Sequence, residues 1–162
     1  MLLADLTIIE VLGQAVRQEI EAYKRYELFA SRVKNPLVRE KFYSLANEEK
    51  AHRELLYNML QKYTGEDKPP LPKEAPRKSS IDDSKLSLPE VLQIAIKKEQ
   101  EAQQFYTEAA KLATDPSGKR VLEYLAGFER GHERLLQTEY DAVAKYPQWF
   151  EIDGADIMLV GP

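Results

Sequence analysis

The stretch Asn47-Glu48-Glu49-Lys50-Ala51-His52-Arg53-Glu54-Leu55-Leu56 decides how the chain is read, because it sets Glu49 three residues before His52 in a run of helical character. On a helix that spacing aims both side chains at one point. The sequence holds two histidines, and the second repeats the arrangement as Glu129-Arg130-Gly131-His132, again followed by two leucines, Leu135 and Leu136. A lone Glu-x-x-His is weak evidence in a chain this rich in glutamate. Its register is stronger: at an offset of 80, Glu10, Val11, Leu12, Ala15, Glu19, Glu21, Ala22, Tyr26, Ala30, Pro36, Leu45, Ala46, Glu49, His52, Leu55 and Leu56 all recur. The chain is an internal duplication, and its two Glu-x-x-His elements point to two metal ions.

Outward from the quoted stretch, Phe42, Leu45, Glu49, His52, Leu56, Met59 and Tyr63 alternate spacings of three and four, the seam of a helix packed against neighbours. Leu122, Leu125, Glu129, His132, Leu136 and Val143 repeat that seam. Ahead of each seam helix stands another, opened by capping-box spacing at Thr7-Ile8-Ile9-Glu10 and Ser87-Leu88-Pro89-Glu90. Leu12, Ala15, Val16, Ala22, Tyr23, Tyr26, Phe29, Ala30 and Val33 make the stripe of the first, with Glu19 inside it; Leu92, Ala95, Ala102, Tyr106, Ala110 and Ala113 make that of the other, with Glu99 inside it. Asn35-Pro36 and Asp115-Pro116-Ser117-Gly118 break the pairs into hairpins.

The expected fold is all-α: one four-helix bundle over residues 1–162, with duplicated helical hairpins at 8–63 and 88–145, a long crossover at 64–87 and a tail at 146–162. The 24-residue crossover can stretch ~80 Å, more than the ~40 Å of a 27-residue helix. The same reach would let two chains exchange hairpins. Pro69, Pro72 and Pro76 have PxxP spacing but read as linker. Trp149 and Phe150 in the tail read as packing residues.

Composition narrows the chemistry. A formal charge of -4 and a pI near 5.4 argue against nucleic acid, which needs a basic face. No run approaches 18 apolar residues, and the N-terminus has no basic region before its apolar part, so a cytoplasmic protein without membrane partners is expected. The absence of cysteine excludes thiolate metal sites within the sequence and leaves carboxylate and imidazole as ligands.

Depth decides whether those ligands can meet. Glu19 lies 16 residues before Asn35, while Glu49 and His52 lie 14 and 17 after it; Glu99, Glu129 and His132 stand at the same distances from Asp115. Antiparallel helices therefore put Glu19, Glu49, His52, Glu99, Glu129 and His132 in one layer. Four buried carboxylates are costly unless balanced, and two divalent cations would neutralise their charge. Oxygen-rich ligation with one imidazole per metal suits two iron ions, with manganese or zinc as substitutes.

Glu19 with Tyr26, Glu49-Lys50-Ala51-His52, and their copies Glu99 with Tyr106 and Glu129-Arg130-Gly131-His132 resemble rubrerythrin and its ferritin-like diiron-carboxylate relatives, over roughly residues 8–145. That resemblance implies Glu19 and His52 at one iron, Glu99 and His132 at the other, and Glu49 and Glu129 bridging. It also implies an oxidoreductase that reduces hydrogen peroxide or dioxygen, with electrons from an external donor such as a rubredoxin, because the sequence has no cysteine for a rubredoxin module of its own. No catalytic residue beyond the metal ligands is expected. A homodimer is expected, with exchanged hairpins as one form. The alternatives are a ferroxidase of ferritin type and a metal-free structural bundle.

Two details complete the reading. Rubrerythrins carry an extra ligand glutamate where this chain has Ala102, matched by Ala22 in the first hairpin; Glu21 and Glu101 point about 200° away from the ligands and cannot substitute. Both irons are therefore expected to stay beside their histidines, and His52→Ala and His132→Ala to impair turnover equally. Tyr26 and Tyr106 read either as hydrogen-bond donors to ligand carboxylates or as core aromatics.

Overall fold

The computed structural model describes residues 7–73 and 86–147; Pro76, Trp149 and Phe150 lie outside them. Four helices account for nearly all of the described chain, and no strand occurs among these residues. Helix α1 spans Ile8–Arg32 and α3 spans Leu88–Leu112. Each starts in a complete capping box: the Thr7 or Ser87 side chain accepts from the amide three residues on, and Glu10 or Glu90 reaches back to the cap.

Helices α2 (Pro36–Thr64) and α4 (Pro116–Lys145) begin with proline at the first position. There a missing amide costs nothing, and the side chains of Asn35 and Asp115 accept from amides of the first turn. α2 stops at Gly65, whose φ of +72° is the left-handed conformation that glycine adopts without steric penalty. α3 ends at Leu112, one residue short of the last stripe position, because Ala113 is already extended on the way to the Asp115 cap.

Within each hairpin the two helices pack along their length, whereas α1 meets α3, and α2 meets α4, at far fewer points. The apolar core is accordingly divided. One cluster joins Tyr26, Phe29 and Val33 to Phe42, Leu92, Ile96 and Val143; the other joins Leu12 and Val16 to Leu56, Leu60, Tyr106, Leu122 and Leu125. Each cluster draws on opposite ends of the two hairpins, so α1 runs antiparallel to α3, and α2 to α4. Between them lies the layer that holds the six candidate ligands.

The seams differ from expectation at their edges. Leu60 is fully buried, while Met59 and Tyr63 are only partly covered, because a straight helix drifts away from a strict alternation of threes and fours. Ala22 and Ala102 are likewise half-buried and border a cavity. The crossover's described start lies along α1: Leu71 packs on the second cluster, and Arg17 Nε donates to the carbonyl of Pro72 at 2.9 Å.

Candidate metal centre

Each of the six residues enters the midplane from the helix and depth expected. Glu19 comes from α1, Glu49 and His52 from α2, Glu99 from α3, and Glu129 and His132 from α4; all are between 1% and 5% exposed. Their donor atoms form two overlapping groups, Glu19-Glu49-His52-Glu129 and Glu49-Glu99-Glu129-His132, in each of which the atoms lie within 4.8 Å of one another. Glu49 and Glu129 belong to both groups.

Both imidazoles present Nδ1 to the carboxylates. His52 Nδ1 lies 3.3 Å from Glu129, 3.6 Å from Glu49 and 3.9 Å from Glu19. His132 Nδ1 lies 2.8 Å from Glu49, 3.2 Å from Glu129 and 3.6 Å from Glu99. The rings stand 6.0 Å apart and nearly parallel. Glu19 thus faces one histidine, Glu99 the other, and the two central glutamates face both.

Five buried atoms of this cluster make no well-directed hydrogen bond: Glu19 Oε2, Glu49 Oε1 (although His132 Nδ1 lies 2.8 Å from it), His52 Nδ1, Glu99 Oε2 and Glu129 Oε1. Orphaned polar atoms in an interior cost about 1–3 kcal/mol each, more when charged, so such a concentration is stable only with a further partner. Five convergent oxygen and nitrogen donors suit a pair of divalent cations, and the residues fit that group.

Without a cation the cluster divides its protons unevenly. Burial raises the carboxyl groups of Glu19 and Glu99, the latter to about 9, helped by neighbouring Glu49 and Glu129 respectively. Burial acts most strongly on Glu49 and Glu129 too, yet contacts with the outer glutamates and both imidazoles outweigh it and hold them below the usual range. Burial opposes charge on the histidines, but the surrounding carboxylates prevail: His52 is pushed up to about 9 and His132 is raised further. Protons are thus favoured on the outer glutamates and the imidazoles, and negative charge on the two inner glutamates.

Tyr26 and Tyr106 prove to be donors as well as core residues. Tyr26 donates to Glu99 Oε1 and Tyr106 to Glu19 Oε1, so each reaches across to the opposite hairpin. Burial, then the carboxylate each one faces, raises both phenols. Glu21 and Glu101 belong to neither ligand group. They border a cavity of about 320 Å³ between α1 and α3, whose floor includes Glu19, Glu49, Glu99 and Glu129 and whose wall includes Ala22 and Ala102.

Two features escaped the sequence reading. Glu139 is buried and pairs with Lys41, tying α4 to α2; its place between Leu136 and Val143 continues the seam spacing and was a readable signal. Glu48 lies 2.5 Å from His132 Nε2, a contact between hairpins that helical spacing on α2 alone does not reveal.

A model of the rubrerythrin family matches residues 10–140. Among solved structures, a hypothetical protein from Pyrococcus furiosus is 28% identical with a TM-score of 0.76, over 89% of this chain and 94% of that one. Bacterioferritin from Rhodobacter capsulatus is 24% identical with a TM-score of 0.73, over 87% and 88%. A ferritin-like diiron-carboxylate protein from Thermotoga maritima is 23% identical with a TM-score of 0.71, over 84% and 95%. The last two likenesses show the fold. No curated protein matches the chain significantly.

Proposed function

The chain belongs to the rubrerythrin family, and from that premise we propose that it is a diiron oxidoreductase that reduces hydrogen peroxide, or less readily dioxygen, to water. The observation that carries the reading is the pair of overlapping donor groups with unpartnered buried atoms at their centre. Glu19 and His52 would hold one ion, Glu99 and His132 the other, and Glu49 and Glu129 would lie between them. Two ferrous ions would supply the two electrons that cleavage of a peroxide O–O bond consumes.

The protein's own part is positional. Tyr26 and Tyr106 fix the outer carboxylates by donating to one oxygen of each, leaving the other free to face a cation. The apolar clusters close both ends of the layer against water. The cavity beside Ala22 and Ala102 gives a small oxidant a way in, and its volume exceeds what peroxide needs. Two protons and two further electrons must arrive for each turnover. With no cysteine in the sequence, the electrons come from an external donor, for which a rubredoxin-type protein is suited.

No helix among the described residues is long and apolar enough to cross a membrane. A cytoplasmic homodimer, with or without exchanged hairpins, is the assembly proposed.

The ferroxidase reading uses the same ligands and differs in the oxidant and the fate of the iron. Stopped-flow oxidation of the anaerobic di-ferrous protein by peroxide and by oxygen separately decides between them. Faster oxidation by peroxide, with iron retained at two per chain, is expected. Faster oxidation by oxygen, with ferric iron accumulating in a cage seen by size exclusion, would replace the peroxidase by a ferroxidase.

A further inference from the structure

The duplication that places the ligands also pairs Glu48 with Phe128 at the offset of 80, so a carboxylate behind one histidine has no counterpart behind the other. Glu48, on α2, lies behind His132: its Oε2 is 2.5 Å from Nε2, on the side of the ring away from the cluster. Phe128, on α4, meets both imidazoles edge-on, His52 at 4.6 Å and His132 at 5.3 Å between centroids, and brings neither of them an acceptor. Among the described residues His52 Nε2 makes no hydrogen bond.

We propose that Glu48 is a positioning residue that makes the two metal positions unequal, holding the ion at His132 and Glu99 more tightly than the ion at His52 and Glu19. Nε2–H of His132 donating to a carboxylate selects the tautomer whose Nδ1 lone pair faces the metal, locks the ring's orientation and makes the ligand more basic. Phe128 offers His52 none of these. It has no acceptor lone pair, so either tautomer of His52 is free to form, and part of the binding energy goes into choosing one. The equal response of the two histidine variants expected from the duplication is thereby replaced: His132→Ala should cost more than His52→Ala.

The inference rests on the two-metal reading above. Its test is stepwise zinc binding to the metal-depleted protein, measured by competition with a chromogenic chelator; zinc has no redox chemistry, so the result does not depend on turnover. Wild type should show two unequal constants. In Glu48→Gln, which keeps the side chain's size on a half-exposed helix face, the tighter constant should fall about 10- to 100-fold while the weaker holds. With His132→Ala already in place, Glu48→Gln should change nothing more, whereas with His52→Ala it should still weaken the remaining site. Phe128→Glu should tighten the weaker site.

Equal weakening of both sites by Glu48→Gln, or an effect that persists in the His132→Ala protein, would overturn the inference by showing general loosening. Two bound zinc ions with a silent Glu48→Gln would overturn it alone. No zinc bound by wild type would overturn it together with the two-metal reading.

Discussion

Tyr26 stands on the same helix as Glu19 but donates to Glu99, on the other hairpin, so each half of the centre is held by the other. Tyr26→Phe leaves a buried carboxylate oxygen without its donor. It should destabilise the protein by about 1–3 kcal/mol and weaken the metal position at Glu99 rather than the one at Glu19; denaturation and metal titration check the two halves of that expectation. The sharing of Glu49 and Glu129 gives a second prediction. Alanine at either should disturb both ions, whereas alanine at Glu19 or Glu99 should mainly weaken one; an equal loss of one ion from all four variants would show that the central glutamates do not bridge. These six positions were legible in the sequence because helical spacing and equal depth from two turns are local properties, repeated at one offset. The partners of Tyr26, Tyr106 and His132 were not, because each lies on the opposite hairpin, and which side chain of one hairpin faces which of the other depends on the rotation of two rigid bodies.

At the level of the helices, the duplication predicts where glycine matters. Gly127 and Gly131 are exposed in α4 with no atom within 4 Å of an added Cβ, and the counterpart of Gly131 is Ala51. Alanine at each should stabilise the protein by about 0.5–1 kcal/mol. Gly118 should not follow them: its Cβ would come within 2.5 Å of Asp115 Oδ1 and 2.7 Å of the Tyr63 hydroxyl, so Gly118→Ala should lower the melting temperature despite the better helix former. The hydrogen bond from Tyr63 to Asp115 joins the end of α2 to the start of α4 and has a pH signature. It pushes Tyr63 up to about 12 and lowers Asp115. Tyr63's contribution is complete below its unfolded value of ~10 and is lost as pH rises through about 12; Asp115's is present above its unfolded value of ~3.9 and is lost as pH falls through the depressed one. The stability difference between wild type and Tyr63→Phe should therefore be flat from about pH 5 to 9 and shrink at both extremes, as denaturant midpoints at pH 3, 7 and 11 would show. Caps and turns were legible here because they are written in consecutive residues; the Tyr63 contact spans 52 positions and was not.

The whole molecule has two apolar cores separated by a charged midplane. Since ions binding only the folded state stabilise it by mass action, about 2.7 kcal/mol for each ion at 100 times its Kd, chelation should lower Tm well beyond any effect of ionic strength. It should also speed amide hydrogen exchange around Glu19, Glu49, Glu99 and Glu129 before it affects the two ends; uniform exchange would mean that the midplane does not depend on its ions. The four-helix architecture was legible from periodicity and the long crossover, but the division of the core was not, because a stripe of apolar residues does not show which ends of two hairpins meet. The crossover has one more consequence. Two identical hairpins related by a true two-fold axis must give both histidines the same neighbour, so any change behind one is made behind both. Joining unlike copies in one chain releases them from that obligation, and a centre of nearly mirrored halves can then be given a strong side and a weak side by a single residue, as Glu48 and Phe128 stand here.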